Sequence, residues 1–304
     1  MGRGRAINDK ACSMINLRDR AHNILAAFIF TAMFFGDPWS GASITQSSTN
    51  DATSQQASPA QNAEPHTLEK CRNAIMSGVR GRPIALVVCH FPSGSDIRLF
   101  LNDPAGAPFG YFDNVNTHLA KQGETLAFAM NAGMYHQDRS AVGLYIENGT
   151  EASKVNTNNG PGNFHLKPNG VFFIQDDGKA GVRDTETFLQ SDQTRIRFAT
   201  QSGPMLVIDG QLHPRFLVDA TSRKRRNGVG VTERGEIYFV LASSPVTFFE
   251  FGKYFRDQLN IPNALFLDGS ISKIFSPALD RNDRGPAMGP IVGVVVGDHL
   301  PGDH

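Results

Sequence analysis

Neither sign of charge is in excess: 29 Lys and Arg balance 29 Asp and Glu, and the isoelectric point is near 7.1. No global field therefore draws the chain to nucleic acid or to an anionic membrane. Cysteine is scarce, with three residues, and no CxxC or paired Cys/His spacing marks a zinc site. A GxSxG elbow, a GxxxxGK[ST] phosphate loop and an HExxH helix are all missing. Their absence removes the hydrolases, nucleotide-binding enzymes and zinc proteases that those motifs would mark. The uninterrupted apolar stretch ILAAFIFTAMFFG, residues 24–36, is too short to span a bilayer comfortably.

What is present is glycine, 30 residues, and phenylalanine, 22, in a chain of 304. That combination fits tight turns around a sizeable core. The first 42 residues read differently. Arg3, Arg5, Lys10, Arg18 and Arg20 precede the apolar stretch, and Ser40-Gly41-Ala42 follow it. This is the pattern of a secretory signal cleaved after Ala42, so a periplasmic or secreted protein is expected. If the stretch is retained, it anchors the chain to the inner membrane, its one expected membrane contact. Cys12 leaves with a cleaved signal, and Cys71 and Cys89 remain as an even pair, either bridged or two free thiols. Residues 43–66 are rich in Ser, Thr, Gln, Asn and Ala and read as a flexible tether. One domain is expected over 67–304.

Strand signals follow one another at 84–91, 97–101, 126–130, 142–147, 170–174, 198–200, 205–208, 228–231, 237–242, 264–268 and 291–297. Helices are fewer. Thr247 to Leu259 sets Phe248, Phe251, Phe255 and Leu259 on one face, with Thr247 and Glu250 as a capping box. Asn114 to Gln122 is a second candidate. The expected class is α+β, a mixed or antiparallel sheet core with a few packed helices.

Several apolar runs stop at small polar residues and glycine. LAFAM ends in Asn131-Ala132-Gly133, RFAT in Gln201-Ser202-Gly203, and ALFL in Asp268-Gly269-Ser270; Lys167-Pro168-Asn169-Gly170 precedes VFFI. Each alone is most simply a turn. Together they fit strand ends gathered around one polar pocket, where glycine lets backbone approach closely.

The ordered series NAGMY (131–135), VGLYIENG (142–149), NFHLKPNGVFF (163–173), QSGPMLVIDG (201–210), RRNGVGV (225–231) and ALFLDGSIS (264–272) resembles the phosphodiester glycosidase family, over roughly 84–297. The resemblance implies an exported hydrolase that cleaves sugar-1-phosphodiesters at the sugar–oxygen bond. The substrate is expected to be a carbohydrate phosphodiester or polysaccharide, for example in envelope or exopolysaccharide material. No cofactor is expected, although a divalent metal is left open. Glycoside cleavage needs a carboxylate or activated water at the anomeric carbon. Asp268, after ALFL, is the first candidate and Glu147, after VGLYI, the second; a turn former and an exposed strand end are the plainer readings. Phosphate recognition calls for cations. Arg226, where the resemblance places an arginine, and Lys167 are chosen, and Arg223 to Arg225 read as solvated loop. Asn131, Asn169, Gln201 and Ser202 suit sugar hydroxyls, and the N–H groups of Gly133 and Gly203 an anion nest. His136 and His165 flank the matched motifs. Asp209 reads as a hairpin turn and Glu250 as a helix cap.

Asn227 stands where the eukaryotic branch has threonine, and Ser270-Ile271-Ser272 where it has glycines and serines. A non-catalytic glycan-binding or assembly protein on the same fold is therefore the competing expectation. Cleavage at phosphorus, which calls for a metal, is a third.

Overall fold

The computed structural model describes residues 70–268 and 271–297. The chain divides into Met1–Gln61 and Asn62–His304, and every described residue falls in the second unit. The expected export segment and tether, residues 1–66, lie outside the described residues.

Strand β1 (Lys70–Ser77) pairs with β2 (Pro83–Phe91); β3 (Ile97–Phe100), helix α1 (Phe112–Ala120) and β4 (Glu124–Asn131) follow. Next come β5 (Tyr145–Glu147), β6 (Thr150–Ser153), β7 (Gly170–Gln175), β8 (Ala180–Asp184), helix α2 (Thr185–Leu189) and β9 (Ile196–Ser202). The chain continues through β10 (Met205–Ile208), β11 (Gln211–Leu212), β12 (Asn227–Val231), β13 (Ile237–Ala242) and α3 (Phe248–Lys253). It ends with β14 (Asn263–Phe266), β15 (Ile274–Ser276), β16 (Arg281–Asn282) and β17 (Ile291–Gly297).

Three sheets result, ordered β1-β2-β13-β12-β14-β10-β11, β16-β15-β4-β17-β3 and β6-β5-β9-β7-β8. All of their strand pairings are antiparallel, so the class is α+β. The sheets share one core. Phe239 of the first packs on Phe128 of the second and Phe172 of the third, and Phe91 of the first also packs on Phe128, with ring centroids 5.0–5.9 Å apart. Each such ring contributes about 1.5–3 kcal/mol by leaving water. Helices cover the outer faces: α3 on the seven-stranded sheet, α1 on the β4 sheet, α2 on the β9 sheet.

The capping box forms as the sequence indicates, with Thr247 and Glu250 bonded reciprocally. The expected single helix from Thr247 to Leu259 is instead the α-helical α3 followed by a π-helical turn, Tyr254–Gln258. Helix α1 begins at Phe112, two residues before the expected start, because Phe112 supplies its first core contact. Cys71 and Cys89 face each other across β1 and β2 and are disulfide-bonded, Cα–Cα 4.0 Å. Among the described residues no helix is long and apolar enough to cross a membrane.

Candidate functional site

Four strand termini drawn from three sheets meet at one place. β4 ends at Asn131, β9 ends at Ser202, β12 begins at Asn227, and β14 runs out through Leu267 to Asp268. Antiparallel pairing explains the mixture: β12 enters where its neighbour β14 leaves. Each run is apolar until it clears the core, and the next residue is polar.

Side-chain and backbone hydrogen bonds knit the ends together. Asn227 Nδ2 donates to the Asn131 carbonyl at 3.0 Å, and the Lys273 N–H donates to Asn131 Oδ1 at 2.9 Å. Ser202 Oγ donates to the Leu267 carbonyl at 2.7 Å, while the Leu267 N–H donates to the Asn227 carbonyl at 3.1 Å. Both backbone groups of Leu267 are thus engaged, which fixes where Asp268 begins. Asp268 is 5% exposed. Its charge acts on Tyr135, whose phenol is pushed up to about 12, first by burial and then by Asp268.

Two polar atoms in this patch are buried without a hydrogen-bond partner among the described residues: Asn131 Nδ2, a donor, and Asn227 Oδ1, an acceptor. Such atoms are rare in folded proteins and call for a ligand group or an ordered water. Asn227 and Tyr135 were not selected from the sequence as site residues. Tyr135, two positions past Gly133 in NAGMY, was within reach of that reading; Asn227 registered only as a departure from threonine.

The other expected residues divide. Gly133 and Gly203 adjoin the patch but do not form a nest, since neither has positive φ. They are sites of close approach instead: a Cβ on Gly133 would lie 2.3 Å from Thr200 Oγ1, and one on Gly203 2.7 Å from Asn169 Cβ. Gln201 is withdrawn from any ligand. Its amide donates to the Asn156 carbonyl and Thr185 Oγ1, and its oxygen accepts from the N–H groups of Leu144 and Asn156. Asn169 likewise donates to the Phe164 carbonyl and accepts from Thr185 Oγ1. Both therefore build the wall rather than face a sugar. Lys167 extends Nζ to the Thr157 carbonyl at 2.6 Å, and His165 Nδ1 lies 2.9 Å from the Asn158 carbonyl, so both brace the loop beside β7.

Arg226 precedes Asn227, so its side chain turns to the opposite face of the sheet. It is 2% exposed, stacks 3.5 Å from the Phe248 ring centroid and donates to the Val246 carbonyl. No carboxylate among the described residues pairs with it, and burial pushes it down to about 10. A guanidinium so placed is still charged at neutral pH.

Glu147 corrects the two-carboxylate expectation. Ile146 lies opposite Ala199 on β9, so Glu147 falls beside Phe198, about 13 Å along the strand from Ser202 at roughly 3.3 Å per residue. It sits in a separate cavity of about 500 Å³ with Arg98, Phe109, His118 and Arg197. Tyr145 OH donates to it at 2.6 Å, and burial raises its carboxyl above the ordinary range. Another cavity, about 840 Å³, is at the far end of β12 and β14, around Thr232, Glu236, Asn260 and Asn263, away from the patch.

The profile of the phosphodiester glycosidase family matches residues 124–284. The chain is 35% identical over 184 residues to the uncharacterized protein YigE of Escherichia coli K12, covering 60% of this chain and 71% of that one. Among solved structures it is similar to the catalytic domain of zebrafish N-acetylglucosamine-1-phosphodiester α-N-acetylglucosaminidase, in a form auto-inhibited by its pro-peptide. That likeness has a TM-score of 0.54 at 14% identity, over 77% of this chain and 84% of the other. A hypothetical protein from Synechocystis gives a TM-score of 0.51 at 14% identity, over 74% of this chain and 62% of the other. The structural likenesses speak to the fold. The family match takes in all four strand termini of the patch and more than half of the sequence, and the chain belongs to the phosphodiester glycosidase family.

Proposed function

We propose that the chain is an exported hydrolase that cleaves the glycosidic bond of sugar-1-phosphodiesters, with Asp268 as the carboxylate at the anomeric carbon. The observation that carries this reading is the buried patch in which Asp268 lies with an unsatisfied donor, Asn131 Nδ2, and an unsatisfied acceptor, Asn227 Oδ1. A sugar hydroxyl both donates and accepts, so one hydroxyl satisfies both kinds of atom. A phosphodiester is already a good leaving group, which suits a site with one carboxylate. Tyr135 stays protonated far above neutral pH and offers its O–H as a donor beside Asp268. Arg226, on the opposite face of β12 and stacked on Phe248, braces the strand end that carries Asn227 rather than contacting phosphate. Export is supported by the basic–apolar–small pattern at the N-terminus and by the Cys71–Cys89 disulfide, a bond that persists in oxidising compartments. Envelope or exopolysaccharide phosphodiesters are the substrates such a location would offer.

The test is release of reducing sugar from a panel of sugar-1-phosphodiesters. Asp268→Asn is expected to lower turnover roughly 100-fold or more, a typical cost for a carboxylate acting in the reaction. Saturable glycan binding with no turnover in the wild type would instead identify a non-catalytic glycan-binding protein.

A further inference from the structure

The loop between β11 and β12, residues 213–226, holds two adjacent aliphatic side chains out in solvent: Leu217, 64% exposed, and Val218, 57% exposed. The loop is anchored at both ends. His213 stacks on Phe216, and Phe216 stacks on Phe248 at 5.2 Å with planes 6° apart. On the returning arm, Lys224 and Val246 exchange two backbone hydrogen bonds, and Arg223 pairs with Glu250. The Ala220 N–H donates to the Leu217 carbonyl, closing a turn at the apex. Leu217 and Val218 are therefore presented by a braced loop.

Charge flanks the apex. Arg215 on the outgoing arm and Lys224 and Arg225 on the returning arm are exposed, against one exposed acid, Asp219. In a chain of zero net charge this excess is local. We propose that this apex is a docking surface for an anionic phospholipid membrane, Leu217 and Val218 entering the acyl boundary and the three cations meeting lipid phosphates. Two aliphatic side chains with no exposed aromatic anchor are small for a protein interface, which takes roughly 800 Å² from each partner. They suit shallow interfacial insertion.

The inference is independent of the glycosidase reading, because it is tested without turnover. Residues 62–304, the unit that contains all four buried clusters, are sedimented with vesicles of phosphatidylcholine alone or mixed equally with phosphatidylglycerol. Binding is expected only to the mixed vesicles and should weaken with salt. Leu217→Ser/Val218→Ser should abolish it. Arg215→Gln/Lys224→Gln/Arg225→Gln should weaken it on the order of 100-fold. Unfolding midpoints of these variants should match the wild type, since none of the five side chains is buried. The proposal is overturned by absence of binding at low salt, by equal binding to phosphatidylcholine, or by variants that bind like wild type. It is equally overturned if Leu217→Ser/Val218→Ser dissolves a dimer, which would give the patch to a second copy.

Discussion

Asn227 donates through Nδ2 to the main-chain carbonyl of Asn131 at 3.0 Å, one amide tying the seven-stranded sheet to the β4 sheet at the point where both end. Removing the donor leaves a buried carbonyl unpaired, at a cost of about 1–3 kcal/mol. Asn227→Ala should lower the urea midpoint accordingly. Asn227→Asp, of the same size but with an oxygen where the donor was, should be at least as destabilising. If the aspartate variant is as stable as wild type, this bond does not hold the sheets together.

Tyr135 reports on Asp268. Its phenol, ordinarily at 10.0, is held up at about 12 by burial and, second, by that carboxylate. An ultraviolet difference titration between wild type and Tyr135→Phe isolates this tyrosine. In Asp268→Asn its midpoint should fall but remain above 10, because burial is the larger cause. An unmoved midpoint would separate the two groups.

Glu147 should be dispensable for activity and should govern part of the acid stability profile. Burial raises its folded value above the ordinary 4.5, so between those limits the folded state holds more protons than the unfolded one. Stability from this group is therefore greatest at low pH and declines as pH rises through that window. Glu147→Gln should flatten the slope just above pH 4.5, be no less stable than wild type at pH 7, and keep full turnover. Loss of turnover with intact folding would return Glu147 to the reaction.

The Cys71–Cys89 bridge closes a loop with a sequence separation of 18 residues. A loop of that size is worth about 3 kcal/mol through the unfolded chain. Cys71→Ser/Cys89→Ser, measured by chemical denaturation, should lose about that amount and show a steeper slope of unfolding, because the unfolded chain is no longer cross-linked. Two free thiols titrated in the denatured, unreduced wild-type chain would show that the bridge is not formed in solution.

Much of this was legible in the sequence because it is local. The capping box of Thr247 and Glu250 lies within one helical turn, and Asn131, Ser202 and Asp268 each stop an apolar run. Glu147 stops an apolar run too, yet it belongs elsewhere. A change from apolar to polar marks a strand end but not which end of the sheet, and β5 runs antiparallel to β9. Gln201 and Asn169 misled for another reason: composition shows a polar group, not which backbone atoms have already claimed it. The three-residue β15 and the two-residue β16 escaped because so few residues carry no period.

Leu267, clasped through its N–H by one sheet and through its C=O by another, makes the patch indivisible. No contiguous peptide carries the chemistry, so it cannot be transplanted as a loop, and a fragment lacking any one sheet inherits none of it. Redesign of the specificity of this protein has to begin with side chains on an intact three-sheet scaffold.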